Sequence, residues 1–123
     1  MNETQLSGKI QSIVRSVPDT YCQKLSDRFT GGIPDMIIVY KGRFIAIESK
    51  VDYRQVTKLQ YASMEKIVKA GGRFFVIRYM NKTKMFKTAR FLFKAEDIIP
   101  HCQLGETKIL EMVVMNILKG DAE

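Results

Sequence analysis

Two short apolar segments, joined by a tight turn and bounded by acidic residues, constrain the fold of this chain more than any other feature. Residues 36–40 and 43–47 have the apolar, β-branched composition of strands, and Lys41-Gly42 between them fits a two-residue hairpin turn. A hairpin brings the start of its first strand beside the end of its second. We therefore expect Asp35 and Glu48 to meet at one edge of a sheet.

The charges at that edge indicate a binding site. Because side chains alternate along a strand, Glu48 and Lys50 share a face while Ser49 points away. Two carboxylates and an ammonium at the rim of an apolar sheet are unfavourable unless something binds there. A divalent cation would remove the repulsion between Asp35 and Glu48, and Mg²⁺ prefers oxygen ligands. The alternative is that Asp35 is an ordinary turn residue after proline and that Glu48 and Lys50 form a solvated pair.

The same residues carry a resemblance to a known family. Gly32-Ile33-Pro34-Asp35, the hairpin and Glu48-Ser49-Lys50 resemble the signature of the PD-(D/E)XK nucleases. The chain is more closely similar to the virus-type replication-repair nuclease domain, VRR-NUC, which occurs alone in many phages. That resemblance continues through Thr57-Lys58-Leu59-Gln60 and Ala70-Gly71-Gly72 and covers roughly residues 1–80. It implies an α/β, restriction-endonuclease-like fold with a mixed β-sheet of about four or five strands flanked by α-helices.

The resemblance also implies a chemistry, the metal-dependent hydrolysis of DNA phosphodiester bonds. Asp35 and Glu48 are expected to hold one or two Mg²⁺ ions, for which Mn²⁺ can substitute, with the main-chain carbonyl of Ser49 as a further ligand. Lys50 would orient the attacking water or offset charge that develops on the phosphate. Serine departs from the usual apolar residue between the glutamate and the lysine, but its carbonyl would do the binding. No small-molecule cofactor is expected.

Two further side chains are candidates for the same site. Glu3 continues the apolar stripe of a first helix that Asn2 can cap, and in related nucleases a glutamate here can complete the metal site. The alternative is a first-turn acid favoured by the helix dipole. Gln60 lies one turn into a helix that starts near Thr57, where related nucleases place a glutamine that faces the metal. The alternative is a capping box with Thr57.

Positive charge is concentrated in one segment. The net charge is +7, yet no acidic residue and nine basic residues lie between Glu65 and Glu96. Such a segment is typical of a phosphate-binding surface, whereas a merely solubilising face would normally mix both signs. Arg28, in the glycine-rich approach to Asp35, could reach a phosphate or simply pair with Asp27. The residues assigned to DNA binding are Arg28, Arg78, Lys82, Lys84, Lys87 and Arg90.

The remaining patterns complete the predicted architecture. Strands are expected over residues 20–26, 74–77 and 85–86, whereas residues 90–102 are ambiguous. The last helix, over 106–119, has eight apolar residues in fourteen, which exceeds one buried stripe and predicts pairing with a second copy in a homodimer. Residues 1–123 are expected to form a single nuclease domain with its core at about 1–95.

Composition bounds the cellular setting. No apolar run reaches the length of a membrane span, and the protein is not expected to associate with a membrane. Cys22 and Cys102 lack metal or redox spacing and are expected to be reduced, in the cytoplasm of a bacterium or a phage-infected host.

The substrate expected is DNA, with branched DNA such as a Holliday junction favoured by the resemblance and the predicted dimer. A general nicking or flap nuclease is the nearest alternative. A non-catalytic DNA-binding module of the same fold is the alternative from a different class.

Overall fold

A mixed β-sheet with helices on both faces organises the chain. The computed structural model describes residues 1–25, 31–91, 96–99 and 106–120. No helix within these ranges is long and apolar enough to cross a membrane. The elements are α1 (Glu3–Arg15), β1 (Thr20–Lys24), β2 (Met36–Tyr40), β3 (Arg43–Val51), α2 (Lys58–Lys69), β4 (Arg73–Met80), β5 (Met85–Phe91), β6 (Glu96–Ile99) and α3 (Glu106–Lys119).

The strands lie in the sheet in the order in which they occur in the sequence. Every neighbouring pair is antiparallel except β3 and β4, which are parallel and are connected by α2. The α/β class and the mixed sheet flanked by helices are therefore confirmed. The five strands predicted from the sequence are present, and β6 adds a short sixth strand within the segment that had no assignment.

The β2–β3 hairpin has the predicted turn. Tyr40 pairs with Arg43, and the two residues between them both have positive φ, 48° at Lys41 and 76° at Gly42. Positive φ at both central residues is typical of a type I′ turn, whose twist matches that of the flanking strands. The turn fixes the register of the whole hairpin, so that Met36 pairs with Ile47.

The core has two parts, one on each face of the sheet. On one face α1 and α3 pack against the sheet, with Leu6, Ile10 and Val14 of α1 fully buried. On the other face α2 covers a smaller cluster that includes Met64 of the helix and Phe74 of β4. Because β3 and β4 are buried on both faces, they read in the sequence as continuous apolar runs.

The inference that α3 has surplus apolar surface is wrong. Six of its eight apolar residues are buried within the chain, Met115 is partly buried, and Met112 is exposed. The helix contacts both α1 and β5, and this double contact widens its buried stripe. The prediction of a homodimer therefore loses the observation on which it was based. The six buried residues are Ile109, Leu110, Val113, Val114, Ile117 and Leu118.

Candidate active site

Asp35 and Glu48 lie opposite each other at the end of the β2–β3 pair. Met36, the first residue of β2, pairs with Ile47 of β3, so Asp35 just before β2 lies beside Glu48, the next residue of β3. The main-chain N–H of Ser49 donates to Asp35 Oδ2 at 2.8 Å. Ser49 lies in the part of β3 that has no partner residue in β2, and the side chain of Asp35 accepts the hydrogen bond that such a partner would otherwise accept. The predicted meeting of Asp35 and Glu48 at the sheet edge agrees with this register.

The carboxylate of Glu48 is buried, with 2% of the residue exposed, and its two oxygens differ in their surroundings. Oε2 accepts a hydrogen bond from Gln60 Nε2 at 3.1 Å and lies 3.6 Å from Lys50 Nζ. No hydrogen-bond donor in the described part of the chain reaches Oε1, which is also buried. A buried charged oxygen without a partner is unfavourable unless a cation or water binds it.

Gln60 forms the capping box with Thr57 and also contacts Glu48, whereas its role towards a metal stays a prediction. Its Oε1 accepts from the N–H of Thr57 at 3.0 Å, and its own N–H donates to Thr57 Oγ1 at 3.1 Å. This capping box begins α2. Since the carbonyl end of the amide is used by Thr57, the Nε2 end faces Glu48. Gln60 therefore presents a donor to the carboxylate and determines which oxygen of Glu48 remains available.

Burial raises the pKa of both carboxyl groups, and the negative charge of neighbouring carboxylates raises it further. Burial is the main cause for Asp35, partly offset by the hydrogen bond from Ser49. Burial, followed by the nearby charge of Asp35, raises the pKa of Glu48 from 4.5 to about 7, although the Lys50 ammonium opposes this. Such a pair is typical of a functional site. A bound cation would favour the charged form of both carboxyl groups and so oppose the effect of burial.

Glu3 lies at the rim of this pair. Its charge contributes to the raised pKa of both Asp35 and Glu48, so α1 brings its first turn close to the edge of the sheet. Its carboxylate is, however, ion-paired with Arg54, at 2.8 Å between Glu3 Oε2 and the guanidinium. Among the described residues, no three acidic, histidine or cysteine side chains converge as a metal-ligand group. A metal role for Glu3 stays a prediction.

The β3–α2 loop, residues 52–57, is held by the neighbouring strand β4 and the turn after it. The Arg78 guanidinium donates to the main-chain carbonyls of Asp52 and Arg54, at 2.7 and 2.6 Å. Asp52, at φ 55°, accepts from the main-chain N–H and the side-chain amide of Asn81. These contacts keep the pKa of the Asp52 carboxyl below its usual value. Arg78 is thus engaged within the protein, and its predicted contact with DNA would compete with these hydrogen bonds.

The other residues assigned to DNA binding differ in exposure. Lys82, Lys84 and Lys87 are exposed. Arg90 is half-buried, with its guanidinium 5.9 Å from the centroid of the Phe75 ring. Arg28 lies outside the described residues. The roles of all of these side chains in binding DNA stay predictions.

The register of the sheet connects this basic segment to the acidic pair. Lys50 pairs with Arg78, which pairs with Lys87, so the three side chains form a row across β3, β4 and β5. Adjacent strands are about 4.8 Å apart, which places the Lys87 main chain roughly 10 Å from that of Lys50. A phosphate backbone that contacts Lys87 would therefore run close to the acidic pair.

Arg54, Asn81 and the loop they help to form were missed by the sequence analysis. Arg54 lies four residues after Lys50, in a segment without strand or helix periodicity. The only sequence signal was its position between the candidate lysine and the capping box of α2. Its contact with Glu3 joins residues 51 positions apart and depends on how α1 packs.

Comparison with known proteins identifies the fold. No family model and no curated protein matches the chain. The structure is similar to that of a solved VRR_NUC domain, with a TM-score of 0.53 and 20% sequence identity over 66% of this chain and 87% of that domain. It is also similar to Hjc, a Holliday junction resolvase from the hyperthermophilic archaeon Archaeoglobus fulgidus. That match has a TM-score of 0.50 and 10% identity, over 79% of this chain and 84% of the other.

The chain therefore has a fold that it shares with two solved proteins, a VRR_NUC domain and a Holliday junction resolvase. The resemblance stated from Asp35, the hairpin and Glu48-Ser49-Lys50 is confirmed at the level of the fold.

Proposed function

We propose that this protein is a metal-dependent DNA endonuclease that hydrolyses phosphodiester bonds. The observation that carries the proposal is the unpartnered, buried Oε1 of Glu48 beside Asp35, at the edge of a sheet with a nuclease fold. Structural ion pairs normally satisfy their buried oxygens. Here one buried carboxylate oxygen has no hydrogen-bond donor, and the pKa of both carboxyl groups is raised. Such a pair is suited to binding a cation.

The residues present fit Mg²⁺. Asp35 and Glu48 offer carboxylate oxygens, and the Ser49 carbonyl is the predicted third protein ligand. Mg²⁺ often binds through one or two carboxylates while it retains waters and contacts substrate phosphates, so a site without a third acidic ligand is suitable. Mn²⁺ accepts the same ligands. When bound, the metal would supply Lewis acidity and lower the pKa of a coordinated water.

The side chains around the carboxylates have separate tasks in this proposal. Gln60 and Lys50 both contact Glu48 Oε2, so Oε1 would be the oxygen left to hold a cation. The Lys50 ammonium, on the same face as Glu48, would orient a water or balance charge on the phosphate. The N–H of Ser49 holds Asp35 in place.

The substrate that we propose is branched DNA. The support is the similarity to a fold that includes a Holliday junction resolvase, together with the exposed lysines of β5 and the preceding turn. A twofold dimer would suit symmetric cuts in a junction, and this assembly stays a prediction. A nicking or flap nuclease and a non-catalytic DNA-binding module are the alternatives that an experiment must separate.

The test is a cleavage assay on matched linear, flap, forked and four-way DNA substrates, with Mg²⁺, Mn²⁺ or EDTA. Cleavage with either metal, lost in EDTA and in Glu48→Gln, is expected, with the four-way junction cut best. Glu65→Gln, at a surface carboxylate paired with Lys69 on α2, is the matched control and should cut normally. Binding of all substrates without cleavage under any metal condition would instead support the DNA-binding module.

A further inference from the structure

Arg54 presents an exposed cation at the rim of the candidate active site. Its side chain is 73% exposed and forms an ion pair with Glu3 of α1. The main-chain carbonyl of Arg54 accepts from Arg78, which pairs with Lys50 across β3 and β4, so Arg54 lies near the end of β3 that carries Glu48 and Lys50. A phosphate that approaches Asp35 and Glu48 would therefore also come near the Arg54 guanidinium.

The main chain beneath Arg54 is fixed, although its side chain extends into solvent. Arg78 donates to the carbonyl of Arg54 itself and to that of Asp52. Asn81 holds the Asp52 side chain through two further hydrogen bonds. A main chain held at both residues limits the positions that the guanidinium can reach. Pre-organisation of this kind reduces the entropy lost when a ligand binds.

Breaking the ion pair between Arg54 and Glu3 should cost little free energy. Exposed ion pairs contribute about 0–1 kcal/mol, because solvent screens them and two long side chains must be ordered. A phosphate group accepts two parallel hydrogen bonds from a guanidinium, which makes it a stronger partner than a single carboxylate oxygen. Arg54 could thus leave Glu3 for a phosphate without disturbing the fold.

We propose that Arg54 is a phosphate-binding residue of the active site, and that Glu3 occupies its guanidinium when DNA is absent. This inference rests on the proposed function, because its ligand is the DNA backbone next to the bond that is cut. Glu3 acts in it as a competitor of the phosphate. Arg78 and Asn81 act as positioning residues, which hold the loop and do not contact DNA.

The experiment is a double-mutant cycle for DNA binding, with Arg54→Gln, Glu3→Gln and the double variant. A fluorescein-labelled four-way junction and a linear duplex are titrated in EDTA, so that metal-dependent cleavage does not occur, and anisotropy is recorded over a range of salt concentrations. Arg54→Gln is expected to weaken binding about tenfold, for one lost charge-assisted contact. The slope of log K against log salt should become shallower by about 0.9.

The competition gives a second, more specific expectation. Glu3→Gln should tighten DNA binding several-fold when Arg54 is present and much less when it is replaced. The matched cycle uses Glu65 and Lys69, another exposed ion pair, at the far end of α2. Lys69 lies nine residues after Gln60 along α2, roughly 14 Å at a rise of 1.5 Å per residue. In that cycle the effects of the two substitutions on the free energy of DNA binding should be additive.

The outcomes separate this inference from the proposed function. Unaltered affinity and salt slope in Arg54→Gln, or an equal effect of Glu3→Gln in both backgrounds, would overturn the phosphate contact while DNA binding stands. Absence of DNA binding by the unmodified protein would overturn both. Arg54→Lys, which keeps the charge but loses the paired donors, should recover part of the affinity. Urea denaturation of each variant verifies that the fold is intact.

Discussion

Glu48→Gln should stabilise the metal-free protein at alkaline pH although it removes the proposed metal site. Burial raises the pKa of Glu48 from 4.5 to about 7, so between these values the folded protein binds a proton that the unfolded chain releases. The free energy of unfolding is therefore highest at low pH and falls as pH rises through about 7. Asp35, whose pKa is also raised by burial, contributes in the same direction.

The size of the effect follows from the pKa values. The rise from 4.5 to about 7, at about 1.4 kcal/mol per pH unit, corresponds to about 3 kcal/mol of unfolding free energy. Most of this loss falls between pH 5 and pH 8. Glutamine keeps an oxygen that can accept from Gln60 but carries no charge. At pH 8 we expect Glu48→Gln to be more stable than the unmodified protein by up to about 3 kcal/mol, and at pH 5 by much less.

Urea denaturation at several pH values, in EDTA and in Mg²⁺, measures these differences. Mg²⁺ at a hundred times its Kd should raise the stability of the unmodified protein by about 2.7 kcal/mol and leave Glu48→Gln unchanged. Glu65→Gln serves as the surface control and should show the same pH dependence as the unmodified protein. A pH-independent stability of the unmodified protein, or an equal fall in Glu48→Gln, would refute the assignment of Glu48 as a buried, cation-seeking carboxylate.

Three further predictions follow from the same structure. Asp35→Ala should abolish cleavage and also cost about 1–3 kcal/mol in urea denaturation, because the Ser49 N–H loses its acceptor, whereas Asp35→Asn should lose cleavage with little loss of stability. Replacing the exposed Lys82, Lys84 and Lys87 with glutamine should weaken DNA binding and flatten its salt dependence, while Mg²⁺ affinity in calorimetry is unchanged. An unaltered slope of log K against log salt would show that these lysines do not bind DNA. Sedimentation should show a dimer if two active sites act together, and a monomer at micromolar concentration would contradict the homodimer.

The parts of the site that could be predicted are those fixed by local geometry. A two-residue turn sets the register of β2 and β3, so the proximity of Asp35 and Glu48 follows from counting residues. The position of Gln60 follows from the capping box that begins α2. These features depend on short stretches of chain, in which periodicity and turn chemistry leave few alternatives.

The parts that could not be predicted depend on contacts between distant elements. The buried residues of α3 occur as adjacent pairs four residues apart, from Ile109-Leu110 to Ile117-Leu118, because the helix packs against α1 as well as the sheet. An apolar count cannot distinguish such a helix from one that binds a second copy. Arg78 counted as surface charge in the sequence but turns inward to the loop before α2. Charge alone does not reveal which cations the protein uses itself.

The two hydrogen-bonding ends of Gln60 have a consequence for motion at the site. One amide joins the first turn of α2 to Glu48, so opening of that turn would also release the carboxylate. The N–H of Tyr61, bonded to the Thr57 carbonyl, belongs to the same turn. Local opening requires far less free energy than global unfolding. The order of a few residues at the start of α2 would thus set the fraction of molecules in which Gln60 holds Glu48. Amide exchange at Tyr61 would report that fraction.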